Sequence, residues 1–261
     1  MILKEFDKSK TAVLNPSDMV SPVPSFPKIG VSCFSRKLID IMVEKFKAEV
    51  IAEHGSANGK EKIYKINYKG LEMALFMSPV GAPHCVGAYE EVFVMGLEKL
   101  VVFGACGVLD KEIDDLAIII PNSAMRDEGT SYHYMEASDE VLTNEKYIPE
   151  FLEVLKEYNC NHVIGKVWTT DAIFRETRKK IENRKKQGCI CVDMECSAIF
   201  AFANFREKEI FQFFYATDNL DAQVWDKRSL SNSAALEEKT NVAILALEMA
   251  HKIIMKDQDN L

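Results

Sequence analysis

Short unbroken apolar runs alternate along this chain with segments whose apolar positions recur every three or four residues. PKIGVSC (27–33) reads as a buried strand, and LIDIMVEKF after it has helical spacing, with Ser35 placed to cap that helix. KIYKINY and LEMALFM meet at Lys69-Gly70, which predicts a hairpin. The Gly/Pro break SPVGAPHC precedes a helical segment, AYEEVFVMGL, that ends near Gly96. A strand over Leu100 to Phe103 then runs into Gly104-Ala105-Cys106-Gly107, and AIIIP, VIGKVW, CICVD and IFQFFYAT read as further buried strands. Helical patterns fall between them in YIPEFLEVLKEY, FRETRKKIENRKKQ and MECSAIFAFANF, with a long one from about Ser231 to Met255.

Strands that are apolar throughout and separated by helices belong to a sheet covered on both faces, so the expected fold is α/β. No linker, repeat or low-complexity stretch divides the chain. Residues 1–26, with Pro16, Pro22 and Pro24, read as an N-terminal arm packed on its own domain or on a neighbouring subunit, and residues 27–261 as one domain.

Composition narrows this further. At 261 residues and 48% apolar content the chain can bury roughly three quarters of its unfolded surface without disulfides. A net charge of −8 removes the basic face that general nucleic-acid binding needs, yet leaves room for a local anion pocket. No run approaches the ~18 apolar residues of a membrane span, and MILKEFDKSK lacks a signal-peptide core. Seven cysteines in apolar contexts suit buried thiols in a reducing compartment. The expectation is a soluble, cytoplasmic protein with no membrane or nucleic-acid partner. Cys189, Cys191 and Cys196 match zinc spacing poorly and have no nearby His, so no metal is expected; on a regular strand Cys189 and Cys191 would point the same way.

Candidate chemistry gathers at strand ends, where α/β sheets bind ligands. Gly104 and Gly107 point first to tight packing of the strand against a helix, and second to backbone N–H groups approaching an anion or sugar. Asp193 and Glu195 straddle Met194 where a strand gives way to a helix. The helix N-terminus favours an anion that accepts from vicinal hydroxyls, and Asp193 serves equally as a helix cap. Asp218 sits at the mouth of an apolar strand, where desolvation lets a protonated carboxyl donate to a substrate atom, or where it simply starts a turn. SAMRDEGTSYHY collects Arg126, Asp127, Glu128, His133 and two tyrosines into one dense loop.

In order and spacing, V-G-A-P, F-G-A-C-G-V-L, R-D-E-G-T-S-Y-H-Y, T-T-D-A-I-F, V-D-M-E-C-S-A and A-T-D resemble the nucleoside phosphorylase family, from about residue 28 to 255. That family includes hexameric bacterial purine nucleoside phosphorylase, uridine phosphorylase and methylthioadenosine nucleosidase, and the M-E core with its downstream T-D is the most specific part. The resemblance implies a central mixed, partly barrel-like sheet flanked by helices. It also implies cleavage of a nucleoside N-glycosidic bond, by phosphate to give base and pentose 1-phosphate or by water. Such a bond breaks through an oxocarbenium-like state that needs charge stabilisation at the sugar and a proton or hydrogen bond at the base.

Carried over by this resemblance, Glu195 would bind the ribose hydroxyls, with Asp193 beside it and Met194 under the sugar, and Asp218 would protonate or hydrogen-bond the leaving purine. Arg126 and His133 lie in a stretch similar to R-x-D-G-x-S-x-H-F of uridine phosphorylases, with His133 approaching the sugar end across a subunit boundary. Gly104, Ala105 and Phe174 would also line the substrate, and Arg178 would stand in for the base-reading Arg of uridine phosphorylases. Phosphate, the co-substrate, would fall to Arg36, Ser35 and the backbone near Gly81. Three departures stand out: Val102 and Ala105 replace an Arg and a Ser or Thr that hold phosphate, Ser32-Cys33-Phe34-Ser35-Arg36 replaces G-D-P-x-R, and Asp193 replaces Glu. The expected activity is phosphorolysis of a purine nucleoside ahead of uridine, with hydrolysis or an inactive nucleoside-binding relative as alternatives. No cofactor or metal is implied, and a homodimer or trimer of dimers with shared sites is.

Overall fold

In the computed structural model, which describes residues 2–57, 59–231 and 233–259, the apolar runs fold in the expected order. The other positions inside the expected arm and domain bounds lie outside the described residues, as does Asn232 within the last helical pattern, which becomes a helix only from Leu236 rather than from about Ser231. After the short helix α1 (Pro16–Met19), β1 (Ile29–Cys33) is buried at every residue. Ser35 then starts α2 (Arg36–Phe46) by accepting from the Leu38 N–H at 3.4 Å. β2 (Glu49–Ser56), β3 (Gly59–Tyr68) and β4 (Leu71–Met77) form a meander. The β3–β4 turn places Lys69 and Gly70 at φ 51° and 87°, as a two-residue hairpin loop requires. α3 (Ala82–Met95) begins ahead of the expected segment, because Pro83 is tolerated in a first turn, where no intrahelical donor is needed.

Two strands outrun their sequence reading. β5 (Lys99–Val108) continues through Gly104 and Gly107, where a Cβ would lie 2.8 Å from the Phe34 ring and 2.4 Å from Leu220 Cδ1. The glycines there make room for neighbours. β6 (Ile118–Asp127) passes Pro121, where its register shifts, and carries Arg126 and Asp127 on a strand rather than a loop. β7 (Glu140–Leu142), α4 (Ile148–Glu157), β8 (His162–Thr170), α5 (Arg178–Lys186), β9 (Cys189–Asp193), α6 (Cys196–Arg206), β10 (Glu209–Asn219) and α7 (Leu236–Asp259) complete the chain. β9 pairs with Lys166 at Cys189 but with Val167 at Cys191, and this irregularity sends the two thiols into different apolar clusters rather than the same way.

β10 pairs with β5 in parallel and with β6 antiparallel, closing β10-β6-β8-β9-β5 into a five-strand mixed barrel. β1, β4, β3 and β2 extend from β5 as an open sheet. α2, α4 and α7 cover one apolar cluster, α3 and α6 another. α6 is buried from Cys196 to Ala203, which explains its apolar residues all round. The arm lies on its own chain: Phe6 meets Phe205 edge-on, Lys10 Nζ pairs with Glu207 at 2.5 Å, and the Val23 N–H donates to the Met95 carbonyl. Among the described residues no helix is long and apolar enough to cross a membrane, and no group of three or more His, Cys, Asp or Glu is arranged to hold a metal ion.

Candidate active site

The ends of β5, β9 and β10 open into one cavity of about 280 Å³, lined by Ala105, Gly107, Asp193, Met194, Glu195 and Asp218 together with Phe34, Val80, Ile173 and Glu176. Asp193, the last residue of β9, is fully committed. Its Oδ1 accepts from Thr169 Oγ1 at 2.7 Å, and its Oδ2 accepts from the N–H groups of Glu195 and Cys196 at 3.0 and 2.7 Å. It thus caps α6. Glu195 turns away from the helix, and its Oε1 accepts from the Gly81 N–H at 2.6 Å.

Burial, then the charge of Asp193, pushes the Glu195 carboxyl above its usual range, partly offset by the Gly81 and Met194 N–H groups. Burial also raises Asp193, but its three donors favour the anion. Where one proton resides on the pair, it belongs to Glu195. Behind them Glu128 accepts from Ser197 Oγ and the Ser131 N–H, both at 2.9 Å, tying the loop after β6 to α6.

At the other wall Asp218 is half-buried. Its Oδ2 accepts from Trp225 Nε1 at 2.8 Å, and the Thr217 hydroxyl lies 3.2 Å from its Oδ1. Gly107 is the floor, since a Cβ there would sit 3.3 Å from Asp218 Oδ1. Glu176, which follows a 3-10 turn at Ile173–Arg175, faces the same space. Burial and the Asp218 charge push its carboxyl up to about 7 against the pull of Lys180. Sequence reasoning passed over Glu176 and Trp225. The only local signal for Glu176 is an acid two residues after T-T-D-A-I-F, and nothing local marks Trp225.

The other expected site residues sit outside the cavity lining. Gly104 packs against Phe34, and Gly81 reaches the site through its bond to Glu195. Ser35 caps α2, and Arg36 pairs with Glu61. Arg126 is buried under its own loop, donating to Ser131 Oγ, Ser138 Oγ and the carbonyls of Met135 and Glu136, and stacks on Tyr132. His133 is exposed, and Phe174 is 97% exposed. Arg178 holds the carbonyls of Leu220 and Gln223 at 2.6 and 2.9 Å, which fixes the segment after Asp218.

Val102 lies in register with Ser32 on one side and Gln212 on the other. Beside it Ser78 bonds Ser32 at 2.9 Å and Tyr89 at 2.8 Å in a buried group of hydroxyls. Among the described residues no Lys or Arg lines the cavity.

A closed mixed barrel with a carboxyl-lined cavity at its strand ends defines the class. The chain belongs to the phosphorylase superfamily, whose family model matches residues 28–256. A guanosine phosphorylase from Halorubrum lacusprofundi is 22% identical over 156 residues, 60% of this chain and 63% of that protein. The aligned region therefore spans under two thirds of that relative. A DeoD-type purine nucleoside phosphorylase from Shewanella oneidensis is 22% identical over 193 residues, covering 70% of this chain and 82% of the relative. The crystal structure of a uridine phosphorylase from Vibrio fischeri has the same fold, with a TM-score of 0.75 at 21% identity over 89% of this chain and 98% of the other.

Proposed function

We propose that this protein cleaves the N-glycosidic bond of a nucleoside, a purine nucleoside ahead of uridine, with phosphate as the acceptor. The observation that carries this is the placement of Glu195 and Asp218 on different walls of one cavity, each in its own environment. Glu195 takes the ribose hydroxyls, whose donation favours its anion and stabilises charge developing on the sugar. Asp193 holds the strand-to-helix junction, and Met194 packs under the sugar. Asp218 gives a proton or hydrogen bond to the departing purine. Ala105 and Gly104 border the substrate, Phe174 closes over it, and Arg178 steadies the base end.

Phosphate binds at Arg36, the Ser35 hydroxyl and the Gly81 N–H, which becomes available when ribose takes over Glu195. Arg126 shapes the loop that carries His133. The exposed His133 reaches the sugar end of a second copy in a homodimer or trimer of dimers. The reaction needs no metal or organic cofactor, and the free buried thiols suit the cytoplasm.

A cavity that no Lys or Arg among the described residues lines favours a second reading in which water replaces phosphate. Incubation with inosine, adenosine, uridine and methylthioadenosine, with and without phosphate, separates the two. Pentose 1-phosphate formed only with phosphate supports phosphorolysis, free ribose in both arms supports hydrolysis, and binding without turnover rejects both.

A further inference from the structure

Lys239, in the first turns of α7, is only 5% exposed, and the chemistry assigned to the cavity makes no use of it. Its ammonium donates to the carbonyls of Ser229 and Ser231, both at 2.7 Å, and lies 5.8 Å from the centre of the Tyr215 ring. It forms no ion pair among the described residues. Asp115, whose charge acts on it, accepts from the Ser229 hydroxyl at 2.6 Å. Burying an ammonium is unfavourable, and an apolar side chain would pack there without that penalty, so the presence of a lysine points to the geometry it imposes.

That geometry belongs to the connection between β10 and α7. At its front Arg178 holds the carbonyls of Leu220 and Gln223, and at its rear Lys239 holds those of Ser229 and Ser231. Leu220 and Leu230 both line the cavity, and Leu230 lies between the two carbonyls that Lys239 grips. Between the two anchors Trp225 donates to Asp218. A connection without a regular backbone ladder takes its shape from such side-chain donors, and without one the two carbonyls would turn to water and carry Leu230 with them.

We infer that Lys239 is a positioning residue: through the carbonyls of Ser229 and Ser231 its ammonium seats Leu230 in the cavity and holds the connection that brings Trp225 to Asp218. Its consequence for turnover rests on the nucleoside-cleaving reading of the cavity. The seating itself stands apart from that reading, because it depends only on the anchored carbonyls. Small displacements of groups that border a reacting centre are felt strongly in rate, so a residue remote from the substrate can act in this way.

The test compares wild type, Lys239→Met, Lys239→Gln, Leu230→Ala and the Lys239→Met/Leu230→Ala double variant, with thermal melting to check that each is folded. The chain has two tryptophans, of which Trp168 is fully buried and Trp225 is 54% exposed, so acrylamide quenching of indole fluorescence reports on Trp225. Lys239→Met should raise this quenching. It should also lower kcat/KM ~10-fold on whichever of inosine, adenosine, uridine and methylthioadenosine wild type turns over best. In the Leu230→Ala background the same substitution should cost less than ~2-fold, since two residues acting through one seat are not additive. Lys239→Gln keeps an N–H donor without the charge and should shift both readouts less, in the same direction; it decides the outcome if the methionine variant does not fold. Unchanged quenching, unchanged turnover in a folded variant, or an equal loss with and without Leu230 overturns this inference alone. A wild type that turns over none of the four nucleosides overturns the functional reading, and the quenching comparison still decides whether Lys239 holds the connection.

Discussion

The two walls of the cavity are built in different ways. At the Asp193–Glu195 wall the carboxylates are held mainly by backbone N–H groups, from Gly81, Glu195 and Cys196, and the whole arrangement is generated by one strand-to-helix junction. At the Asp218–Glu176 wall the groups come from the ends of β10 and β8. There the side chains of Trp225 and Thr217, and the grip of Arg178 on the carbonyls of Leu220 and Gln223, define the geometry. A backbone-held acid is preorganised by the fold itself, whereas a side-chain-held acid depends on several packing choices agreeing. On the proposed function, the first wall would take the invariant sugar and the second the part that varies, the base.

The sharpest break in this comparison is loss of either acid. Glu195→Ala and Asp218→Ala should each lower kcat/KM for the preferred nucleoside by ~10²-fold or more, the scale of a positioned acid or base. Steady-state rates within a few-fold of wild type in either variant would remove that residue from its role. Asp193→Ala should act on the fold instead. It leaves the Glu195 and Cys196 N–H groups and the Thr169 hydroxyl unpaired, and urea unfolding should show a loss of about 2–3 kcal/mol. A stability equal to wild type would mean that the junction is held by something other than this carboxylate.

Gly107→Ala probes the floor of the second wall. Its new methyl would press on Leu220 Cδ1 and on Asp218 Oδ1, and turnover should fall ~10-fold with little change in melting temperature. Trp225→Phe removes only the indole N–H from Asp218 and should cost a few-fold in kcat. A larger loss than for Gly107→Ala would show that Trp225 does more than orient the acid.

The smallest effect is one of pH. Because the folded carboxyl of Glu195 is raised above its unfolded value, wild type binds more protons folded than unfolded, and its stability declines as pH rises through that window. Glu195→Gln does not titrate, so its melting temperature should gain on wild type as pH rises through the folded value and then level off. A gap that narrows with rising pH would contradict the assigned shift.

The same contrast explains what could be read from the sequence. The β1 run, buried throughout, and the Lys69-Gly70 hairpin were legible because apolar continuity and positive-φ turn residues are local properties. The strand-to-helix junction at Asp193–Glu195 was legible for the same reason, including the capping by Asp193. β2 was not read as a strand, since its residues are mostly exposed at the sheet edge and show no apolar alternation. The extension of β5 through Gly104 and Gly107 was hidden because those glycines answer to Phe34 and Leu220, which are distant in sequence. Glu176 was hidden likewise, since its surroundings depend on Asp218, which is distant in sequence. Arg126 looked like a substrate ligand by its loop, but its donors turn inward to that loop, and only the folded chain reveals it.

The most direct test of the division of labour between the walls is a crystal structure with a purine nucleoside bound. The ribose hydroxyls should lie within hydrogen-bonding distance of Glu195, and the base edge should meet Asp218. A base seated against Glu195, or a nucleoside bound outside this cavity, would contradict it.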